Sequence, residues 1–291
     1  MLKNKKINPF RSIKLKKKKS KASNRVKIGI VGCGAIGGGI AAFINKKLKS
    51  MAVLHALADN NLPAAVTLRG KLKPKPKIYD LNTLVKEVDL VIEAASVDAV
   101  KLVLKKALRY KKDAVILSVG ALINPVSTFK AALNKNIKIY VPSGAICGID
   151  GLGALSLGKV KNISLTTSKP PKGLIGADYL KKKRINLKNL KKEKIIFKGG
   201  VREAIKHFPK NINVAVTLLL ASNSKDVGVC IKVNPKLKRN VHAIEIEANE
   251  AKISISVENV PSKLNPKTSA LAILSTKAIL KRIFSPFKIG S

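Results

Sequence analysis

The sequence predicts an α/β protein in two parts, a doubly wound parallel sheet followed by a second α+β domain whose sheet is mixed or antiparallel. Three observations predict it. The apolar run VKIGIV at 26–31 feeds directly into Gly32-Cys33-Gly34-Ala35-Ile36-Gly37 and then into a helical pattern. From Arg25 to Val141, short apolar runs alternate with helical segments, the sequence form of right-handed crossovers between parallel strands. After Pro142 the hydrophobic period changes to two.

Strand 26–31 is a short apolar run interrupted only by Lys27, as expected of a strand buried on both faces. Small and apolar residues at helical spacing then give a helix over about 35–47. Strand 52–58 and a short helix over 62–69 follow, and Pro74 and Pro76 break regular structure in 71–77. The alternation continues with strand 78–79, helix 82–86, strand 89–93, helix 98–110, strand 114–118, helix 125–134 and strand 138–141. Beyond it, 160–167, 194–198, 227–233, 241–247 and 252–258 have strand character, with a strongly apolar helix over 211–222 between them. A last helix is expected to start after Asn265-Pro266, reach about Phe284 and pack back on the first domain. The divisions are a disordered basic arm over 1–24, a first domain over 25–142, a second over 143–264, and the C-terminal helix within 265–291.

A strand, a glycine turn and a helix start, in that order, form a Rossmann-type dinucleotide site. Gly32 permits the tight turn, Gly34 lets the backbone approach a pyrophosphate, and Gly37 lets the helix pack closely on the strand. Amides at the helix start, from Ala35 and Ile36, suit the anion. Asp59, at the tip of the second strand and 27 residues after Gly32, is placed to accept hydrogen bonds from the adenosine ribose. An acid there favours NAD, because it repels a 2′-phosphate. Arg69, Lys71 and Lys73 lie close enough in sequence to offer that phosphate a partner, so the cofactor expected is NAD or NADP.

At 291 residues, 46% of them hydrophobic, the chain is long enough for two domains around full cores. No apolar run reaches the roughly eighteen residues that span a bilayer, and the N-terminal segment is lysine-rich rather than a signal peptide. The expectation is a cytoplasmic protein with no membrane association. Cys33, Cys147 and Cys230 have no paired spacing, so neither a disulfide framework nor a metal site is suggested. The formal charge of +42, from 58 Lys and Arg against 16 acids, makes nucleic acid a competing partner. Yet the lysines are dispersed, there is no Trp and there are only four Tyr, so base-stacking platforms are lacking. Binding to nucleic acid is expected only nonspecifically, at low salt.

Seven stretches resemble the L-aspartate dehydrogenase family: KIGIVGCGAIG at 27–37, VIEAAS at 91–96, SVGAL at 118–122, PSGAICGID at 142–150, FPKNINVAVTLLLA at 208–221, KRNVHAIEIE at 238–247 and VENVPSKLNPKTSALAILS at 257–275. The first is shared by many dehydrogenases. The others, in this order, are far more restrictive. The resemblance implies NAD(P)-dependent oxidative deamination of L-aspartate through iminoaspartate to oxaloacetate and ammonia, or the reverse. It further implies a role feeding iminoaspartate into NAD biosynthesis, with quinolinate synthase as partner. His242 corresponds to the family's catalytic histidine, and Ala145 and Asn213 to cofactor-contacting positions. Imidazole suits the task, since it titrates near neutrality and can move a proton while hydride passes to the nicotinamide. His55 and His207 are expected to be structural.

Other site residues follow from the fold. Glu93-Ala94-Ala95-Ser96 ends the fourth strand at the carboxyl edge, so Ala94 and Ala95 are expected to line the cofactor channel. Ser143-Gly144-Ala145 leaves the last strand at the same edge, where small residues let the nicotinamide lie against backbone; Ser143 and Gly144 are expected to meet substrate. Asn213 lies in the first turn of the apolar helix. A dicarboxylate needs cations or aimed N–H donors, and Lys267, Thr268 and Ser269, expected to open the last helix, offer both. One departure from the family pattern is Ala248-Asn249-Glu250-Ala251, which stands where a glycine turn is usual. The expected assembly is a homodimer. The competing readings are a dihydrodipicolinate reductase-like or homoserine dehydrogenase-like enzyme, and a nucleic-acid-binding protein on a dehydrogenase fold.

Overall fold

The computed structural model describes residues 25–290 apart from 176, 188–189, 210–211 and 263–264. The arm predicted over 1–24 lies outside the described residues. Strands β1 (Val26–Val31), β2 (Ala52–Ala58), β3 (Lys77–Ile78), β4 (Leu90–Glu93), β5 (Asp113–Ile116) and β6 (Ile139–Tyr140) form one sheet in the order β3-β2-β1-β4-β5-β6. Every pairing in it is parallel. Helices α1 (Ala35–Lys47), α2 (Leu62–Gly70), α3 (Leu81–Glu87), α4 (Val97–Tyr110) and α5 (Val126–Asn134) lie in the intervening segments. Alternate residues of β1 serve two cores: Ile28 and Ile30 pack with Ile40 and Ile44 on one face, and Val31 joins Leu84, Val91 and Val103 on the other. The winding direction reverses between β1 and β4, and this leaves a crevice at their carboxyl ends.

The second part contains α6 (Ile149–Leu155), β7 (Val160–Lys169), α7 (Asp178–Lys182), β8 (Lys194–Gly200), α8 (Val201–His207), α9 (Asn213–Ser222), β9 (Gly228–Val233), β10 (Asn240–Ala248) and β11 (Lys252–Asn259). Its sheet runs β11-β10-β7-β9-β8. It is mixed, because β7 and β9 pair in parallel while the other pairs are antiparallel. Helix α9 buries Ala215, Val216, Leu218 and Leu219 in the core that also holds Ile163, Leu165, Ile231 and Ile244. Two short strands, β12 (Pro261–Ser262) and β13 (Asn265–Ser269), precede α10 (Ala270–Phe284). Leu280 of α10 is fully buried in the core of the first sheet, and Ile273 packs against Gly39 of α1, so the last helix lies on the first domain.

Several expectations are corrected. The last helix does not open directly after Asn265-Pro266, with Lys267, Thr268 and Ser269: Asn265–Ser269 is a strand paired with Pro261–Ser262, and the helix begins at Ala270. Proline biases its predecessor toward extended backbone, and Ser269 supplies the cap by accepting from Leu271 N at 3.1 Å. Strand β5 stops at Ile116 rather than 118: the Leu117 amide is shared between the Glu93 carbonyl and carboxylate, and the Ser118 amide goes to the carboxylate. The apolar helix starts at Asn213 rather than 211; Asn211 lies outside the described residues. Helices α6, α7 and α8, of 7, 5 and 7 residues, are too short for a helical period to register in sequence.

Candidate active site

The glycine turn leaves β1 with Gly32 at φ +99°, a conformation that L side chains rarely adopt. A Cβ at Gly32 would lie 2.5 Å from the Ala94 carbonyl oxygen, and one at Gly37 would collide with the Gly32 carbonyl. Gly34 differs, since a Cβ there would meet nothing within 4 Å. Its backbone therefore borders open space. Among the described residues no side chain caps α1 and no acid sits in its first turn, which leaves the Ala35 and Ile36 amides at that end available to an anion. This open glycine cradle fits a dinucleotide pyrophosphate.

At the tip of β2, Asp59 Oδ2 accepts from Cys33 N at 2.7 Å and Oδ1 from Asn61 N at 2.8 Å. The carboxylate is thereby fixed beside the turn. Burial, with the Asp59 charge, pushes the Cys33 thiol up to about 12, so it stays protonated. Arg69 donates through Nε to the Pro76 carbonyl at 3.0 Å and is partly committed to the proline-containing loop.

A cavity of about 260 Å³ lies between the two sheets. Ile36 and Leu117 line it from the first domain and Ser143, Gly144 and Ala145 from the segment that follows β6, so it adjoins the glycine cradle. Lys169, Asn213 and His242 line it from the second, and Thr268 and Ser269 from the approach to α10. His242 is the third residue of β10, paired with Thr167 of β7 on one side and Val257 of β11 on the other. Only 6% of it is exposed, and its Nδ1 lies 3.0 Å from Thr167 Oγ1. Burial, together with the Lys169 charge, pushes the imidazole down to about 4. Lys169 ends β7 two residues beyond Thr167; burial lowers its ammonium to about 8.

Hydrogen bonds join the walls of this cavity. Asn213 Oδ1 accepts from Gly120 N at 3.0 Å, tying α9 to the helical turn at Val119–Leu122. Asn259 Nδ2 donates to the Ala145 carbonyl at 3.0 Å, and the Ser269 hydroxyl donates to Asn259 Oδ1. The fold thus gathers Ile36, Ser143, Gly144, Ala145, Asn213, His242 and Thr268 around one space. It does not bring Ala94 and Ala95 to the cavity wall; Ala94 packs on Gly32, and Ala95 N donates to Glu93 Oε1 at 2.8 Å. Lys267 has its backbone on β13 rather than in a helix, and its side chain lies outside the described residues.

His207 sits in an aromatic cluster 4.7 Å from the Tyr179 ring, and His55 lies in β2, both away from the cavity. Sequence reasoning missed Lys169, Thr167 and Asn259. A signal for Lys169 exists, since it continues the inward period of Ile163, Leu165 and Thr167. One lysine among 58 basic residues carried no contrast. Among the described residues no cluster of His, Cys, Asp and Glu is suited to a metal ion, and no helix is long and apolar enough to cross a membrane.

Comparison with known proteins bears on this arrangement. Residues 32–142 match the family described as "Homoserine dehydrogenase, NAD binding domain", and residues 150–283 that described as "Aspartate dehydrogenase, C-terminal". The chain is 44% identical over 91% of its length to all of an L-aspartate dehydrogenase from Methanosarcina acetivorans. The corresponding protein from Methanocaldococcus jannaschii is 40% identical over the same share and is again matched throughout. The crystal structure of an aspartate dehydrogenase from Thermotoga maritima is similar with a TM-score of 0.70 at 28% identity, over 91% of this chain and all of that one.

Proposed function

The chain belongs to the L-aspartate dehydrogenase family, and from that premise we propose that it interconverts L-aspartate and iminoaspartate with NAD or NADP. One observation carries the reading: a buried histidine and a buried lysine share a cavity that adjoins a glycine cradle open for a pyrophosphate. Bound NAD(P) supplies the acceptor for the hydride that leaves the substrate α-carbon.

Gly32, Gly34, Ala35, Ile36 and Gly37 hold the pyrophosphate in this reading, and Asp59 takes the adenosine ribose. Ala94 and Ala95 support the channel from behind the glycine turn. Ala145 and Asn213 border the nicotinamide. Lys169 supplies the cation for a substrate carboxylate; with its ammonium titrating at about 8, most of it is charged at neutral pH, and an incoming carboxylate favours the charged form further. Ser143, Gly144, Thr268 and Lys267 complete the dicarboxylate site.

His242 is neutral at pH 7 because burial holds it at about 4. When Nδ1–H donates to Thr167 Oγ1, Nε2 is left with the lone pair that accepts a proton. That atom takes a proton from the substrate amine or from the water that attacks the imine, and returns it in the reverse direction. Entry of two carboxylates raises the basicity of the ring when substrate is bound.

In the cell the proposed role is to supply iminoaspartate for NAD biosynthesis through quinolinate synthase, in the cytoplasm. The proposed assembly is a homodimer through the second sheet. Across its outer face Ala243 pairs with Thr166, and Thr166 with Cys230, a row of small, partly exposed residues. Light scattering after size exclusion at high salt tests it, and a monomeric mass removes it. The proposal keeps nucleic acid to nonspecific contact at low salt. The reductase-like alternatives are not favoured, because the identity to L-aspartate dehydrogenases runs the length of both domains.

The deciding assay is NADH or NADPH formation from L-aspartate, with His242→Ala as control. Turnover with aspartate, lost by orders of magnitude in the variant, is the expected result. Coenzyme binding without aspartate turnover, alongside turnover of homoserine or a dihydrodipicolinate, overturns the substrate assignment.

A further inference from the structure

Glu93 ends β4, is 0% exposed and takes no part in the chemistry above. Oε1 accepts from Ala95 N at 2.8 Å and from the Ser118 hydroxyl at 2.9 Å. Oε2 accepts from Ser118 N at 2.9 Å and Leu117 N at 3.2 Å. Three of these donors are backbone amides, which can only donate, so both oxygens act as acceptors, the bonding pattern of a carboxylate anion. Among the described residues no cation lies within ion-pair distance of it, so the dipoles of these four donors are its nearest compensation and part of its field extends beyond them.

The segments that it ties together face the coenzyme site. Ala94, next in the chain, packs its carbonyl on Gly32, while Leu117 and Val119 line the cavity that Ile36 also lines. A neutral side chain would suffice to hold two loops together. A full negative charge adds a field at that wall.

We propose that Glu93 is a positioning residue whose buried charge, set behind the Leu117 and Val119 wall, makes the site favour the oxidised coenzyme, with its cationic nicotinamide ring, over the neutral reduced form. This rests on the coenzyme reading above.

The test measures equilibrium dissociation constants of NAD⁺ and NADH for the full chain by titration calorimetry, so that no turnover is involved. The unmodified protein binds NAD⁺ at least as tightly as NADH. Glu93→Gln removes the charge and raises the ratio Kd(NAD⁺)/Kd(NADH) about tenfold. Ser118→Ala removes one of the four bonds and keeps the charge; it weakens both coenzymes alike and leaves the ratio within about twofold. Equal weakening of both coenzymes in Glu93→Gln overturns the proposal in favour of a purely structural carboxylate. Should that variant not fold, the unmodified protein decides, because NADH binding more than about tenfold tighter than NAD⁺ also overturns it. If the unmodified protein binds neither coenzyme, the coenzyme reading fails first and this inference with it.

Discussion

Thr167 Oγ1 lies 3.0 Å from Nδ1 of His242, inside the sheet that forms the floor of the cavity. The two residues are direct cross-strand partners on β7 and β10, so backbone pairing rather than a flexible loop sets their separation. A histidine held this way keeps one ring orientation, and in the tautomer with Nδ1–H its Nε2 carries the lone pair that proton transfer requires. Thr167→Val keeps the shape and removes the hydroxyl. It is expected to lower kcat about tenfold or more with little change in coenzyme affinity, while Thr167→Ser restores most of the rate. A Thr167→Val enzyme of normal kcat and normal pH profile shows that the hydroxyl only fills space.

Lys169 gives a second, separable prediction. Its ammonium is the cation seated beside His242, and its role in the proposal is binding rather than proton transfer. Lys169→Met keeps an unbranched stem and loses the charge, so KM for aspartate is expected to rise about a hundredfold, in line with loss of a charge-assisted bond. The affinity for NAD stays unchanged. In the unmodified enzyme kcat/KM for aspartate falls as pH rises through about 8, where Lys169 loses its proton, and the Met variant loses that alkaline limb. An unchanged KM in Lys169→Met places the carboxylate elsewhere.

The same burial makes the fold sensitive to acid. His242 titrates at about 4 in the folded chain against 6.5 for an ordinary imidazole. Between those values the unfolded chain binds the extra proton, so stability rises with pH and is lost as pH falls from 6.5 toward 4. The shift corresponds to about 3 kcal/mol at most. Urea denaturation of the unmodified protein and His242→Gln at pH 7 and pH 4.5 measures it. The variant is expected to lose less stability between the two pH values, and equal losses exclude His242 as the source.

Much of this was legible in the chain, for identifiable reasons. The parallel sheet announces itself because strands such as VKIGIV are buried on both faces from Ile28 on and read as mostly apolar runs. Gly32, Gly34 and Gly37 are marked by identity, since each position leaves or needs room that a side chain would fill. Lys169 stands out only through the period of β7, since its burial comes from the register of β7 against β9 and β10 and its composition matches that of the many exposed lysines. The helix expected from Lys267 starts instead at Ala270, because a helix-favouring apolar run lies just downstream while the pairing with Pro261–Ser262 holds the chain extended to Ser269. Asn259, which bonds Ala145 114 residues away, depends wholly on long-range folding.

Gly34 and Gly37, three residues apart in one turn, should respond to the same substitution in opposite ways. At Gly34 the backbone is extended, with φ −72° and ψ −162°, and a Cβ meets nothing within 4 Å, so alanine fits the folded chain. The open space it enters is the one assigned to the pyrophosphate. Gly34→Ala is therefore expected to leave the melting temperature within about 2 °C and to weaken NAD binding about tenfold or more. At Gly37 the added methyl meets the Gly32 carbonyl, a backbone atom that cannot swing aside as a side chain can. Gly37→Ala must push α1 away from β1, so a loss of about 3 kcal/mol or more is expected, and coenzyme binding is lost together with stability as the cradle is displaced. Thermal melts and NADH titrations on both variants separate the cases. If Gly34→Ala binds NADH normally, the pyrophosphate does not approach that face of the turn, and the cradle has been assigned to the wrong side.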